Sequence, residues 1–284
     1  MLPSDLPANL LRRVWTLRQF AMLEGAALDE LATLAQNLVE TEIEPGVVVA
    51  SAGERVTDVH FVLDGELGTT DGSWRWTRHE LCGAAFVVAD CPAAQTVIAH
   101  TRTRTLRLAA DDLDEVLEDN FSVLMASLRS VARQLLVRQR RLPVAQLSTA
   151  LPGGLVERLL AFRRQAPFAQ AHPRPLAALA RAARDVMWGS NETIATRGAS
   201  VEEAFIVMGG SVRADGTTLA EGEALGLLEL LADRPHERTY ETMGPTRAIG
   251  ITGAALFDIV EDHGDLGLEM LRAMSRALVG ARAV

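Results

Sequence analysis

Two stretches of the sequence carry side chains that could bind a metal or an anion. His79 precedes Cys82 by three positions, and Cys91 follows nine positions later. A single H-x-x-C pair falls short of the four ligands of a structural zinc site, so we expect no metal and interpret both cysteines as small buried residues. His236 and Arg238 form either an anion site or part of a solvated loop of mixed charge, and the mixed charge around them favours the loop.

The basic residues exclude several kinds of catalytic chemistry. All 28 are arginines, so the chain has no P-loop lysine, Schiff-base lysine or lysine general base. The sequence also lacks G-x-S-x-G, H-E-x-x-H and glycine-rich phosphate-loop motifs. We therefore expect a non-enzymatic protein with no catalytic residues.

Composition limits the partners that the protein is expected to bind and indicates its cellular compartment. The chain has 284 residues and a net charge of −9, with 14 arginines against 20 acidic residues before residue 143 and 14 against 17 after it. Neither half is basic, which argues against nucleic-acid binding. Two domains are expected from the length, and no apolar run is long enough to enter a membrane. Two cysteines, abundant alanine and the absence of lysine indicate a cytoplasmic bacterial protein.

An aromatic pair is the other functional candidate. Trp74 and Trp76 alternate along SWRWTR, with Arg75 and Arg78 between and beside them. On a strand both indoles share one face, where they either close a β-structure or, if exposed, form a protein-binding hot spot.

The two halves of the chain resemble each other, which predicts a tandem repeat. At a shift of 143 residues, TVIAHTRTRTLRLAADDLDEVLEDN from Thr96 aligns with TYETMGPTRAIGITGAALFDIVEDH from Thr239 without a gap. Identical pairs include Thr103 with Thr246. Prolines and glycines between residues 143 and 154 indicate a linker. The predicted domains are residues 1–142 and 155–284.

Each half changes its periodicity in the same order. Apolar residues at helical spacing in 28–38 precede short β-branched runs, and Asp71-Gly72 lies between two of these runs as a hairpin turn. A helical pattern returns after Asp111 or Asp112, either of which is a suitable N-cap, and a long amphipathic helix follows. We predict an α+β fold of two tandem β-rolls, of jelly-roll type, each flanked by N- and C-terminal helices.

This order of elements resembles the cyclic-nucleotide-binding domain family of catabolite activators and protein kinase A regulatory subunits. The resemblance rests on VTDVHFVLDG between Gly53 and Gly65, VEEAFIVMGG between Gly198 and Gly210, and the strand-to-helix exit after each roll. In that family, a cassette of the form F-G-E-L-A-L, followed by P-R-A-A-T-V, holds the nucleotide. Its arginine and helix amides bind the phosphate, and its glutamate binds the ribose 2′-hydroxyl.

Both cassettes of this chain lack the charged pair. In the first, LCGAAF and PAAQTV keep Gly83 and Thr96 but have Ala84 and Ala93 in place of Glu and Arg. In the second, LGLLEL and PHERTY keep Gly226 but have Leu227 and His236. The candidate ligand-binding residues of the second cassette are Gly226, Leu227, His236, Arg238 and Thr239.

The resemblance therefore implies a regulatory or scaffold protein that acts through protein contacts, without a cofactor and with family-type nucleotide binding lost. The alternative is a sensor that binds cyclic AMP, cyclic GMP or another small molecule in the second domain. A protein partner or a homodimer is expected. The candidate contact residues are Trp74, Trp76, Leu128 and Leu135, of which the last two lie on a C-terminal helix of the type that dimerises in the family.

Overall fold

The computed structural model describes residues 8–138, 142–145 and 154–280, so residues 146–153 of the predicted linker lie outside the described part. The chain divides into two compact units. One comprises the chain up to Ser130 together with the end of the last helix from Leu278, and the other comprises Val131–Ala277. The boundary falls within a helix, at a different place from the seam read from prolines and glycines.

The first unit contains eight strands in the described part of the chain. Its α-helices are α1 (Ala8–Leu17), α2 (Leu28–Asn37), α3 (Ala84–Ala89), α4 (Ala110–Asp119) and α5 (Phe121–Val137), the last of which continues into the second unit. Its strands are β1 (Val39–Ile43), β2 (Val48–Ala50), β3 (Asp58–Asp64), β4 (Leu67–Thr69), β5 (Arg75–Trp76), β6 (Leu81–Cys82), β7 (Val97–Ala99) and β8 (Thr103–Ala109).

Two antiparallel four-stranded sheets form the first β-roll. Their strand orders are β1-β8-β3-β6 and β2-β7-β4-β5. The predicted turn is present, because Gly72 N donates to Thr69 O and Ser73 N donates to Asp71 Oδ1 between β4 and β5. Side chains from both sheets fill the space between them: Ile43, Val62, Leu67, Trp76, Cys82, Val97 and Ala99.

The second unit repeats the same order of elements. Its helices are α6 (Leu155–Arg164), α7 (Pro173–Ala182), α8 (Leu227–Ala232), α9 (Gly253–Asp262) and α10 (Gly264–Val279). Its strands are β9 (Arg184–Trp188), β10 (Thr193–Ala195), β11 (Glu203–Gly209), β12 (Val212–Ala214), β13 (Thr217–Leu219), β14 (Ala224–Leu225), β15 (Tyr240–Thr242) and β16 (Thr246–Thr252). The sheets run β14-β11-β16-β9 and β10-β15-β12-β13, again antiparallel. The predicted α+β fold with two β-rolls is confirmed.

The helices that follow the two rolls, α4 and α9, differ in their N-caps. Helix α4 begins at Ala110 with Ala109 as its N-cap, so the prediction of Asp111 or Asp112 as the cap was wrong. Both aspartates lie in the first turn instead, where their charges stabilise the helix dipole. Helix α9 has Thr252 as its N-cap, and Thr252 Oγ1 accepts a hydrogen bond from Ala255 N.

Among the described helices, none combines the length and the apolar character required to cross a lipid bilayer.

Candidate ligand-binding site

A glycine in the left-handed conformation begins the short helix of the first cassette. Gly83 has φ +92° and caps α3. A Cβ at this position would lie 2.7 Å from Asp58 O, a backbone atom of the neighbouring β3 strand. The conformation and the close approach both require glycine here, independently of any ligand.

Backbone hydrogen bonds hold the second part of the first cassette against the preceding loop. Ala93 N donates to Glu54 O at 2.9 Å, and Gly53 N donates to Ala93 O at 2.8 Å. Thr96 Oγ1 accepts from Ala52 N at 3.1 Å. The first cassette is therefore folded, but the positions at which the family has Glu and Arg are occupied by the buried methyl groups of Ala84 and Ala93.

The second cassette has the same backbone arrangement. Gly226 (φ +77°) caps α8, His236 N donates to Ala199 O at 2.9 Å, and Gly198 N donates to His236 O at 2.9 Å. Thr239 Oγ1 accepts from Arg197 N at 3.1 Å, as Thr96 does from Ala52. His236 therefore occupies the backbone position that Ala93 occupies in the first unit.

The His236 side chain is turned into the protein. Its ring packs edge-to-face on Tyr240, with 5.6 Å between the centroids, and only 6% of the residue is exposed. A Cβ on Gly226 would lie 3.2 Å from His236 Cε1. Burial lowers the pKa of His236, although the nearby Glu229 acts in the opposite direction. A lowered pKa disfavours the imidazolium cation, and with it the charge that would attract a phosphate.

A buried hydrogen bond links the helix and the strand beside His236. Tyr240 Oη donates to Glu229 Oε1 at 3.0 Å, and both residues are buried. Burial, together with Glu229, raises the pKa of the Tyr240 phenol. The carboxyl group of α8 is therefore engaged by the protein itself. Sequence analysis missed this pair, because residues eleven positions apart in a helix and a strand share no local motif.

A cavity of about 380 Å³ adjoins the second cassette, and we call it the roll cavity. From the cassette, Gly226, Leu227 and Arg238 line it, whereas His236 and Thr239 do not. The other described lining residues are Leu135, Leu136, Leu142, Val144, Gln165, Arg197, Asp215, Thr217, Leu219, Glu223, Ala224, Leu228, Glu229, Glu237 and Tyr240. Three of the five predicted ligand-binding residues are therefore brought together.

The charged groups of the roll cavity are mostly acidic. Two guanidinium groups face it, those of Arg197 and Arg238, against four carboxyl groups among the described lining residues. Arg197 is already paired, since its Nη2 lies 2.6 Å from Asp215 Oδ2. This balance disfavours an anionic ligand, because a lining with more carboxylates than guanidinium groups repels a phosphate across a partly desolvated site.

The tryptophan pair occupies the corresponding region of the first roll. Trp76 is buried in the core between the sheets, Trp74 packs against that core, and their rings stack with centroids 5.8 Å apart. By strand register, these residues correspond to Thr217 and Leu219 of the second roll, which line the roll cavity. Trp76 therefore closes the first roll, which is one of the two roles predicted for the pair, and Trp74 remains partly exposed.

The two helix candidates for partner binding are buried as well. Leu128 is 1% exposed and Leu135 is 0% exposed. Their apolar side chains pack within the chain, so Trp74 alone among the four predicted contact residues is partly exposed.

The cysteines and histidines do not form a metal centre within the described residues, where no group of three or more His, Cys, Asp or Glu side chains converges. Cys82 lies in the core, and burial raises the pKa of its thiol to about 12. Cys91 is only partly buried, with its Sγ donating to Ala89 O at 3.3 Å.

No family model matches the chain, and no curated protein sequence matches it. Among solved structures, it is similar to the regulatory subunit of a cAMP-independent protein kinase A from Trypanosoma brucei, with 14% identity, a TM-score of 0.38, and coverage of 93% of this chain and 90% of that one. It is also similar to the regulatory domain of Toxoplasma gondii PKA with cAMP, with 15% identity, a TM-score of 0.38, and coverage of 92% and 98%. The N-terminal domain of a Streptomyces coelicolor transcriptional regulator matches 41% of this chain and 88% of its own, at 20% identity and a TM-score of 0.38. At these values the neighbours do not identify a ligand for this chain.

Proposed function

We propose that this protein is a non-enzymatic regulatory protein built from two tandem domains of the cyclic-nucleotide-binding type, neither of which binds a cyclic nucleotide in the manner of the family. One observation carries the proposal. Both cassettes share one arrangement of backbone hydrogen bonds, yet buried Ala84 and Ala93 in the first, and Leu227 and buried His236 in the second, stand where the resemblance implies Glu and Arg.

Matched local geometry supports the tandem duplication. Gly65 (φ +89°) and Gly210 (φ +86°) each lie where a Cβ would come within 2.6 Å of a backbone carbonyl oxygen in the turn before the exit strand. Thr103 Oγ1 donates to Thr101 O, and Thr246 Oγ1 donates to Gly244 O, both at 2.9 Å. Such equal details at aligned positions are more easily explained by duplication than by coincidence.

The charge of the roll cavity supports the loss of nucleotide binding in the second domain. A cyclic phosphate would meet Arg238 and an Arg197 that already has a carboxylate partner, together with Glu223 and Glu237. Losing a bidentate arginine–phosphate contact alone costs roughly a few kcal/mol, which is about two orders of magnitude in affinity.

The proposed output is contact with a protein partner or a second copy in the cytoplasm, without a cofactor. Burial argues against Trp76, Leu128 and Leu135 as contact residues, whereas the partly exposed Trp74 remains a candidate. Light scattering on purified protein distinguishes the two kinds of contact, since a homodimer doubles the 30.6 kDa mass of the chain.

Thermal unfolding with and without nucleotide tests the lost-binding proposal. A ligand at 100 times its Kd stabilises the folded state by about 2.7 kcal/mol, which raises the melting temperature by several degrees. We expect no change with millimolar cyclic AMP or cyclic GMP. A concentration-dependent rise with either nucleotide would contradict the proposal.

A second candidate function is favoured by the roll cavity itself. It retains about 380 Å³ of space, and Leu135, Leu219 and Leu227 provide apolar walls. We propose as the alternative that the second domain senses a small molecule that is less anionic than a cyclic nucleotide. Adenosine and guanosine are suitable probes, because they keep the base and ribose but lack the phosphate.

A tryptophan introduced into the roll cavity, compared with one introduced beside it, tests this alternative. Thr217→Trp places in the second roll the side chain that Trp74 has in the first, whereas Thr218→Trp places it on the exposed face of the same strand. If the cavity is the site, Thr217→Trp abolishes nucleoside-dependent stabilisation and Thr218→Trp preserves it. Equal responses of both variants would rule out the cavity as the site.

A further inference from the structure

A second cavity, of about 500 Å³, lies in the first unit and shares no residue with either cassette. It is formed between α1, the sheet strands β1 and β8, and the turn before β6. Four arginines line it: Arg12, Arg13, Arg78 and Arg104. We call it the arginine cavity.

The arginine cavity is strongly basic in an otherwise acidic chain. Among its described lining residues, Glu40 carries the one carboxyl group, against four guanidinium groups. The whole chain has a net charge of −9, so this concentration of positive charge does not follow from composition. Uncompensated like charges destabilise a fold, and a bound anion would relieve the repulsion.

One of the guanidinium groups is positioned by backbone carbonyls, and a second is hydrogen-bonded to the partly exposed side chain that follows it in the sequence. Arg13 Nη1 donates to Leu38 O at 2.9 Å and to Ala35 O at 3.2 Å, at the end of α2. Arg78 Nε donates to His79 Nε2 at 3.2 Å, and His79 has a positive φ of +69°. Holding a guanidinium group in place before a ligand arrives lowers the entropy cost of binding.

Arg104 completes the set from strand β8. Its Nη2 lies 3.7 Å from Glu40 Oε1, a long ion pair in which both side chains are about half exposed. Such a pair contributes little to stability and is easily exchanged for a stronger acceptor. Guanidinium groups bind phosphate and carboxylate oxygens through paired hydrogen bonds, so the ligand chemistry is that of these two anions.

We propose that the arginine cavity binds a small soluble polyanion that carries phosphoryl or carboxyl groups. The site lies outside the interior of the β-roll and uses none of the residues of the proposed function. This proposal is therefore independent of the proposed loss of cyclic-nucleotide binding.

Calorimetric titration of the full chain with inorganic pyrophosphate tests the proposal. Arg78→Gln and Arg104→Gln each remove one cavity charge and leave a shorter, neutral polar side chain. Arg102→Gln is the matched control, because Arg102 is exposed near the same strand, pairs with Glu42 and Glu44, and does not line the cavity.

We expect the unchanged protein and Arg102→Gln to bind pyrophosphate equally, and Arg78→Gln and Arg104→Gln to bind it about tenfold or more weakly. Affinity should also fall as salt is raised, since partly exposed charges are screened. No binding at millimolar pyrophosphate, or equal losses in Arg102→Gln and Arg104→Gln, would overturn the proposal.

Sedimentation with phosphatidylglycerol vesicles distinguishes a soluble ligand from a lipid headgroup with the same chemistry. We expect no vesicle binding that depends on Arg104. Vesicle binding lost in Arg104→Gln and kept in Arg102→Gln, without binding of free pyrophosphate, would overturn the soluble ligand in favour of a headgroup.

Discussion

The first cassette has Gly83 although it lacks the Glu and Arg that the resemblance implies. A substitution at Gly83 tests whether backbone geometry explains this glycine. Gly83→Ala would place a Cβ 2.7 Å from Asp58 O and 3.3 Å from Val56 Cγ1, at a φ of +92°. Gly53→Ala is the matched control, because its φ of +79° is similar but nothing lies within 4 Å of the added atom. The two variants therefore share the backbone strain and differ in the close approach.

The expected magnitudes follow from these two contributions. A left-handed alanine costs about 1–2 kcal/mol, partly offset by about 0.4–1 kcal/mol from the stiffer unfolded chain, so Gly53→Ala should cost about 1 kcal/mol. The clash at Gly83 involves a backbone carbonyl of a sheet strand, which must move, and overpacking of this kind costs about 1–3 kcal/mol more. Gly83→Ala should therefore lower the free energy of unfolding by about 2–4 kcal/mol.

Urea unfolding followed by tryptophan fluorescence measures both variants. Trp188→Phe serves as the background, because Trp188 belongs to the second unit and the other three tryptophans, Trp15, Trp74 and Trp76, belong to the first. Equal losses in the two variants would refute the argument, since the contact with Asp58 would then contribute nothing. A smaller loss for Gly83→Ala would refute it more strongly.

Three further predictions concern single side chains. Tyr240→Phe removes the hydroxyl that donates to buried Glu229 and should lower the free energy of unfolding, measured by urea titration, by about 1–3 kcal/mol. In a Glu229→Gln background the same change should cost clearly less. Burial lowers the pKa of His60 from 6.5 to about 4, so the unfolded chain binds the proton more tightly than the folded chain. The first unit should therefore lose about 3 kcal/mol of stability as pH falls from about 7 to 4. Hydrogen exchange of strands β3 and β8 measures this loss, and His60→Gln should abolish it; an unchanged pH slope in that variant would contradict it. Trp76→Leu should cost about 2–4 kcal/mol and open space in the first roll for small apolar probes, and a variant as stable as the parent would show that Trp76 does not fill the roll.

Much of the fold was predictable, because its signals are local or repeated. The short β-branched run at residues 59–63 predicts the strand observed at Asp58–Asp64, and Asp71-Gly72 forms the predicted turn. The alignment of Thr103 with Thr246 anticipated two side chains that make the same backbone hydrogen bond. Local periodicity and turn chemistry are sufficient for features of this kind.

The direction in which side chains point was harder to predict. His236 was placed among the ligand-binding residues because of its position in the cassette, yet its ring packs edge-to-face on Tyr240 and does not line the cavity. Trp74 and Trp76 share one face of a strand as predicted, but the sequence does not show which face meets the core. Both outcomes depend on how two sheets pack, which is a tertiary property.

The convergence of the charged residues that line the two cavities was not visible in the sequence. Arg13, Arg78 and Arg104 are far apart in the chain and converge only when α1, a turn and β8 are brought together. The Arg197–Asp215 pair likewise joins two loops of the second roll. A signal was available only for Asp215, which precedes Gly216 in a second Asp-Gly hairpin turn.

Isothermal titration of the full chain with cyclic AMP and with cyclic GMP, each at millimolar concentration, is the most direct test of whether both cassettes have lost their ligand. The proposed loss of nucleotide binding predicts no saturable heat with either nucleotide, because Ala84 and Ala93, and Leu227 and His236, replace the Glu and Arg that the resemblance implies. A Kd tighter than about 10 µM, or about 7 kcal/mol of binding free energy, would contradict that prediction.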